Sequence, residues 1–157
     1  MLQSDKIRLV VETSGAIAVL MGLVFVGLEL RQNTHAVEAA TFQSLTDASN
    51  DFIMTIASDA ELNRIYTSGL ADASSLNSDE YQRFYMTLRS FWVRMQNVYS
   101  QWQRGTLSDD DWRLYQAVIC IDQNDQAGMK ATFDEHRMIL SDEFQQFVDL
   151  CWARSPD

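Results

Sequence analysis

Residues that interrupt regular structure are scarce in this sequence, which contains one proline, Pro156, and six glycines. β-Sheets joined by tight turns need glycine, proline and asparagine at short intervals, so this composition excludes an all-β fold. Motifs of catalysis and cofactor binding are also missing, since no G-x-S-x-G, C-x-x-C, H-E-x-x-H, P-loop or G-x-G-x-x-G spacing occurs. We therefore expect an all-α protein that is not an enzyme and binds no cofactor.

Basic residues are few as well: 12 lysines and arginines stand against 22 aspartates and glutamates, for a net charge of −10. Residues 1–31 contain three residues of each sign, so the whole excess of negative charge belongs to residues 32–157. Nucleic acids and anionic lipid surfaces are bound by clustered lysine and arginine, so neither is expected as the main partner. We interpret the acidity as a means of keeping this region soluble.

Charge is absent altogether from Thr13–Leu28. Leu9, Val10 and Val11 extend the apolar run in front and Leu30 extends it behind, with only Glu12 and Glu29 interrupting it, and the wider stretch Ile7–Leu30 adds one further charge, Arg8. As helices these stretches span about 24 Å and about 36 Å, which brackets a hydrocarbon core of roughly 30 Å. We therefore predict a membrane-spanning helix. The alternatives are a buried helix of a soluble protein and a cleaved signal sequence, although no A-x-A-like cleavage site follows Leu28.

This prediction divides the chain into residues 1–31, a membrane-spanning helix with a short N-terminal flank, and residues 32–157, an acidic α-helical bundle domain. Nothing breaks the first helix after Leu30, and apolar residues continue at helical spacing. We expect it to run on as one long helix to about Ala57. Lys6 and Arg8 precede the span and Arg31 follows it, which weakly favours an N-terminus inside the cell.

Small residues share one side of the predicted span. At about 100° per residue, Gly15, Ala18 and Gly22 fall on one narrow stripe, and Glu29 lies on the same stripe. Small residues allow two backbones to approach closely in lipid, whereas bulky ones do not. We predict a helix–helix interface, formed with copies of the same chain, at Ser14, Gly15, Ala18, Gly22 and Glu29. The alternative is that glycine and alanine are simply common in spanning helices.

Further helices are predicted from capping residues. Asp59 caps a short helix that Gly69 closes, Ser108 caps a helix that begins with three aspartates, and Ser141 caps the last one. A helix carrying Met129 and Phe133 is expected to start at Asn124 or Asp125.

The strongest helical pattern follows Asn77, which forms a capping box with Glu80. Apolar residues then repeat every 3.5 positions until Gly105, a spacing typical of a packed helix face. They are Tyr81, Phe84, Tyr85, Leu88, Phe91, Trp92, Met95, Val98, Tyr99 and Trp102. We expect this aromatic stripe to form the core of the bundle. An apolar ligand groove or an interface between protomers is the alternative.

Three short stretches resemble an uncharacterised family of short bacterial single-span membrane proteins with a helical domain after a Leu-Arg-Gln-Asn-Thr motif. They are Gly27–Thr34 with Phe42-Gln43, Asp59–Leu62 with Gly69-Leu70, and Tyr99-x-x-Trp102-x-x-Gly105-x-Leu107 with Trp112. The resemblance implies an anchor in the bacterial inner membrane followed by helices. It implies no activity, substrate or catalytic residue.

Few side chains could bind a metal. His35 and Glu38 share a helix face, but the second histidine, His136, has no carboxylate one turn away, so no facing pair completes a site. Asp109, Asp110 and Asp111 are better explained by helix capping. The two cysteines, Cys120 and Cys151, lie in apolar helical patterns; we expect buried free thiols, with a disulfide as the alternative.

These observations favour a membrane-anchored helical scaffold or accessory protein that self-associates, as a homo-oligomer or as a subunit of a larger membrane complex. The alternatives are a small oligomeric pore, in which a ring of Glu29 would select cations, and a ligand-sensing membrane protein.

Overall fold

Helices account for all regular structure in the computed structural model, which describes residues 2–122 and 126–154, and side chains from residue 14 onward except those of 16, 122 and 154. Among these residues there is no strand, which confirms the predicted all-α fold with a long first helix and a small bundle. The α-helices are α1 (Leu2–Ser58), α2 (Ala60–Ala71), α3 (Ser78–Gln103), α4 (Asp109–Ala117), α5 (Ala127–His136) and α6 (Asp142–Arg154). Short 3₁₀ turns at Ala73–Ser75 and Arg137–Ile139 and a π-helical turn at Val118–Asp122 connect them.

Helix starts agree closely with the predicted caps. The Asp59 carboxylate accepts hydrogen bonds from the backbone N–H groups of Glu61 and Leu62, both at 3.0 Å. Asn77 and Glu80 form the reciprocal capping box at 3.0 Å in each direction. Each such cap satisfies N–H groups that the helix itself cannot, and is typically worth about 1 kcal/mol. The predicted start of α5 at Asn124 or Asp125 lies outside the described residues, in which Ala127 is the first helical residue after the gap.

Gly69 does not end α2, contrary to the prediction, because the helix continues to Ala71 and Asp72 caps it. Its role is close packing. A Cβ atom at Gly69 would lie 2.6 Å from the Phe84 ring, and one at Gly128 in α5 would overlap the carbonyl oxygen of Gly69. The two glycines therefore let α2, α3 and α5 approach more closely than side chains would permit.

The described chain forms two compact units, residues 1–39 and residues 40–157. The predicted division at residue 31 separates a part of the chain in lipid from a part in water, and it stays a prediction. In the second unit α3 is central: its stripe supplies the core, as predicted. The fully or nearly fully buried members are Phe84, Leu88, Phe91, Trp92, Met95 and Val98. The Trp92 ring lies 4.6 Å from Phe133 of α5 and 6.4 Å from Phe144 of α6, measured between centroids.

Cys120 and Cys151 form a disulfide, so the prediction of two buried free thiols is wrong and the alternative holds. The bond joins the π-helical turn to α6, with the two Cα atoms 5.0 Å apart. At the same junction the Trp152 indole donates to the Ile119 carbonyl at 3.0 Å. The sequence pattern indicates that each cysteine lies on an apolar helix face. It does not show that the two faces meet, which follows from the packing of the turn against α6.

Candidate membrane-spanning helix and self-association face

Between Ile17 and Leu30, α1 carries exposed apolar side chains on every side of the helix. Among the described residues one helix is long and apolar enough to cross a membrane: its best 18-residue window has a mean hydropathy of 1.2 and no part buried in the protein. Ten large apolar side chains in this part are 50 to 66% exposed. They are Ile17, Val19, Leu20, Met21, Leu23, Val24, Phe25, Val26, Leu28 and Leu30. An apolar surface of this extent is unusual in water unless another apolar phase covers it.

All the residues of the predicted interface lie on this one helix. Ser14, Gly15, Ala18, Gly22 and Glu29 are exposed, and a Cβ atom added at Gly15 or Gly22 would meet nothing within 4 Å. Neither glycine is therefore required by packing among the described residues, although glycine costs a helix interior about 1 kcal/mol relative to alanine. Their use as a self-interface stays a prediction.

Glu29 carries the only charge between Ile17 and Leu30. Its carboxylate makes no ion pair with any residue that the structure describes, and its side chain is exposed. A charge in this position is costly in hydrocarbon unless it reaches water, headgroups or a protein partner. Val11 and Glu12, near the other end of the run, lie where no side chain is described.

The candidate metal ligands do not form a site. His35 Nδ1 lies 3.3 Å from Glu38 Oε2, both on the exposed surface of α1, and within the described ranges no group of three or more His, Cys, Asp or Glu residues could hold a metal ion. His136 is fully buried: its Nδ1–H donates to the Thr132 carbonyl at 2.6 Å and its ring stacks on Tyr85. It is a core residue of the bundle.

The three aspartates at the start of α4 have three separate partners. Asp109 accepts a hydrogen bond from the Trp102 indole at 2.8 Å, Asp110 pairs with Arg113 at 2.9 Å, and Asp111 bonds to the capping Ser108. Their carboxylates point in different directions, as three consecutive helical residues must. The structure supports capping and local pairing of these residues.

One residue with functional potential escaped the sequence analysis. Arg94 of α3 is half-buried against the rings of Phe52 and Phe91. The sequence places it between the core residues Trp92 and Met95, at the edge of the aromatic stripe, which is the one indication that it could be partly buried. An amphipathic pattern predicts that a charged residue at this position faces solvent, because the pattern does not show which helix covers the edge of the stripe.

Comparison of the chain with protein-family models, with curated proteins and with solved structures finds no match in any of the three.

Proposed function

We propose that this protein is a membrane-anchored helical scaffold or accessory subunit that self-associates and has no catalytic activity. The observation that carries the proposal is the uncovered apolar surface of α1 between Ile17 and Leu30. Burial of ten large side chains in acyl chains outweighs the single charge at Glu29, which lies near one end of the run where headgroups and water are within reach. The bundle of residues 40–157 then serves as the water-exposed domain.

The disulfide supports an orientation of the chain. Disulfides persist in oxidising compartments and are rare in the bacterial cytosol. The bond between Cys120 and Cys151 therefore favours a bundle outside the cell membrane, in agreement with the excess of Lys6 and Arg8 over Arg31 around the span. The resemblance of the chain to bacterial single-span proteins suggests the inner membrane, with the N-terminus inside.

Self-association is proposed through the small-residue stripe. Apolar side chains gain little by leaving acyl chains, so association in lipid depends on close backbone approach and on polar contacts between helices. Gly15, Ala18 and Gly22 offer the close approach, and Glu29 on the same stripe offers a polar contact at one end. The exposure of these residues is consistent with a free interface.

Membrane insertion is tested by extraction. We expect the full-length chain to stay with the membrane in high salt and in alkaline carbonate, which release proteins held only by charge. A Leu20→Asp, Val24→Asp variant, with two charges at the centre of the run, should be released. Recovery of the unaltered chain in buffer without detergent would contradict the proposal.

Assembly is tested by the mass of the full-length protein in nanodiscs. We expect a whole multiple of 18.0 kDa greater than one, after subtraction of lipid and belt protein. A protein mass equal to that of a single chain would contradict self-association. Cation-selective single-channel currents that are lost in Glu29→Gln would favour a pore over a scaffold.

A further inference from the structure

A groove of about 800 Å³ opens between α1, the start of α2 and α3 within the second unit. Its apolar walls come from Phe52, Ile56, Leu62, Met86 and Val93. The volume is within the range of sites for small organic ligands, which is about 300 to 1,000 Å³. Met86 and Val93 are half-exposed at its rim, so this apolar surface is open to solvent in the described chain.

The guanidinium of Arg94 stands at the wall of this groove and is held in a fixed position. It lies 4.7 Å from the centroid of the Phe52 ring and 5.6 Å from that of Phe91, and its Nη1 donates to Ser49 Oγ at 2.7 Å. Contacts with two aromatic faces orient the planar group while leaving most of its N–H donors unused. The Nε atom is buried and has no hydrogen-bond partner among the described residues.

Arg94 also lacks a counter-ion within the part of the chain that the structure describes. No carboxylate of a described residue forms an ion pair with it, although the chain carries a net charge of −10. Arg137, another partly buried arginine, pairs with Asp149 at 2.7 Å and with Asp134 at 2.8 Å. Burial lowers the pKa of the Arg94 guanidinium, because water that would stabilise its charge is excluded. Partly buried charges are normally paired, so an arginine without a carboxylate at a groove wall points to an anion supplied by a ligand.

The surroundings restrict the kind of anion. One guanidinium matches a single carboxylate, to which it can donate two parallel hydrogen bonds. Asp51 lines the same groove, and its carboxylate repels a dianion such as a phosphate monoester about twice as strongly as a monoanion. The apolar walls favour a hydrocarbon chain attached to the charged group.

We propose that this groove binds a single-chain fatty acid. The carboxylate pairs with Arg94, and the aliphatic chain lies against Phe52, Ile56, Leu62 and Met86. Such a ligand would pair with the guanidinium charge of Arg94 and would also cover the apolar rim of the groove. A protein of this kind, anchored beside a bilayer, has such molecules within reach, but the inference rests on the groove and not on the membrane helix.

The test measures binding of dodecanoate with a ¹³C-labelled carboxyl group to the full-length chain in nanodiscs by NMR. Partition into the bilayer is the same for every variant, so differences report the groove. We expect a saturable site with one ligand per chain in the unaltered protein and in Arg89→Gln, an exposed arginine on the same helix. Arg94→Gln should weaken this site at least tenfold, and dodecanol should not compete.

A second variant keeps the test conclusive if Arg94→Gln does not fold. Thr87→Trp leaves Arg94 in place and puts a large ring in the groove two helical turns before it on α3, and it should block the site while the helical circular dichroism stays unchanged. Equal saturable binding in Arg94→Gln, or no binding above bilayer partition in the unaltered chain, would overturn the proposal. Loss of self-association in Arg94→Gln without saturable dodecanoate binding would assign the groove to a second copy of the chain instead.

Discussion

Gly69 and Gly128 show how single residues set the distance between helices in the bundle. At Gly128 the backbone of α5 passes directly over α2, so that a Cβ atom would overlap the Gly69 carbonyl oxygen, and at Gly69 a Cβ atom would meet the Phe84 ring of α3. Glycine is unfavourable within a helix, so its presence at both positions is explained by these close contacts and not by local preference.

Gly128→Ala should therefore destabilise the bundle by about 1–3 kcal/mol or more, because the added methyl group overlaps the Gly69 carbonyl and forces α5 outward. The measurement is denaturant unfolding followed by tryptophan fluorescence. Gly27→Ala is the matched control, since a Cβ atom there meets nothing within 4 Å. An unchanged unfolding midpoint for Gly128→Ala would show that α5 does not cross α2 at this point.

The surroundings of Tyr81 alter the acidity of its hydroxyl group. Its hydroxyl donates to Glu135 Oε1 at 2.7 Å, which ties the start of α3 to α5. Burial and this hydrogen bond to a carboxylate raise the pKa of Tyr81 to about 12 from its ordinary value of 10.0. The neutral phenol is thus favoured in the folded state, so its contribution to stability is complete below pH 10 and is lost as the pH rises toward 12.

We expect the free energy of unfolding to fall between pH 10 and pH 12, and to fall less steeply in Tyr81→Phe. Tyr66, whose pKa burial also raises, should contribute in the same direction. Absorbance of the phenolate at alkaline pH checks the assignment, because one late-titrating tyrosine should disappear in Tyr81→Phe. Identical alkaline titrations of the two proteins would contradict it.

At the scale of elements, α3 organises the bundle. Its capping box determines where it begins, its aromatic stripe contacts helices on both flanks, and Gly105 follows its end with a φ of 72°, a conformation that favours glycine. The ring contacts of Trp92 reach Phe133, Phe144 and Trp152, so α5 and α6 are held to the same side chain. The helix is therefore the common packing surface of the domain.

The disulfide acts on two other elements, the π-helical turn and α6. Replacement of both cysteines, Cys120→Ser with Cys151→Ser, should lower stability by about 3–4 kcal/mol, because the bond closes a loop over a separation of 31 residues. Thermal unfolding checks this figure, with the reduced unaltered protein as the comparison. When the protein is purified from membranes without reductant and then unfolded, we expect it to contain no thiol that reacts with a thiol reagent. Two reactive thiols would show that the cysteines are reduced in the cell.

At the scale of the whole molecule, the proposed assembly depends on one side of α1. Gly22 lies on the small-residue stripe, and Gly27 lies about 140° around the helix from it. Both are exposed and both have open space where a side chain would project, so they differ in the face they occupy and, by about 7.5 Å, in their position along the helix axis.

Gly22→Leu should weaken self-association in the bilayer by roughly tenfold, about 1.4 kcal/mol, because the larger side chain separates the backbones. Gly27→Leu should have little effect. Disulfide crosslinking gives an independent readout: cysteine introduced at position 18 or 22 should link two copies, and cysteine at position 20 or 24 should not. Equal crosslinking at all four positions would show that the stripe is not the interface.

Local interactions in this protein were predictable from the order of residues. Asp59, Asn77 and Ser108 cap helices through hydrogen bonds that span two or three positions, and the aromatic stripe of α3 follows from helical spacing alone. The length of α1 could be predicted equally well, since no proline and no pair of glycines interrupts the helix before Ser58.

What the sequence determined by itself is therefore the set of helices, the caps at Asp59, Asn77 and Ser108, the face of α3 that is buried and the uncharged run of α1. The tertiary structure alone decided that Gly69 meets α5, that Cys120 joins Cys151 and that Arg94 lies over the ring of Phe52. The physical reason is the range of the interactions: a cap or a heptad depends on residues within a few positions of each other. The three tertiary contacts join residues separated by 31 positions or more, and they exist only once the helices have packed.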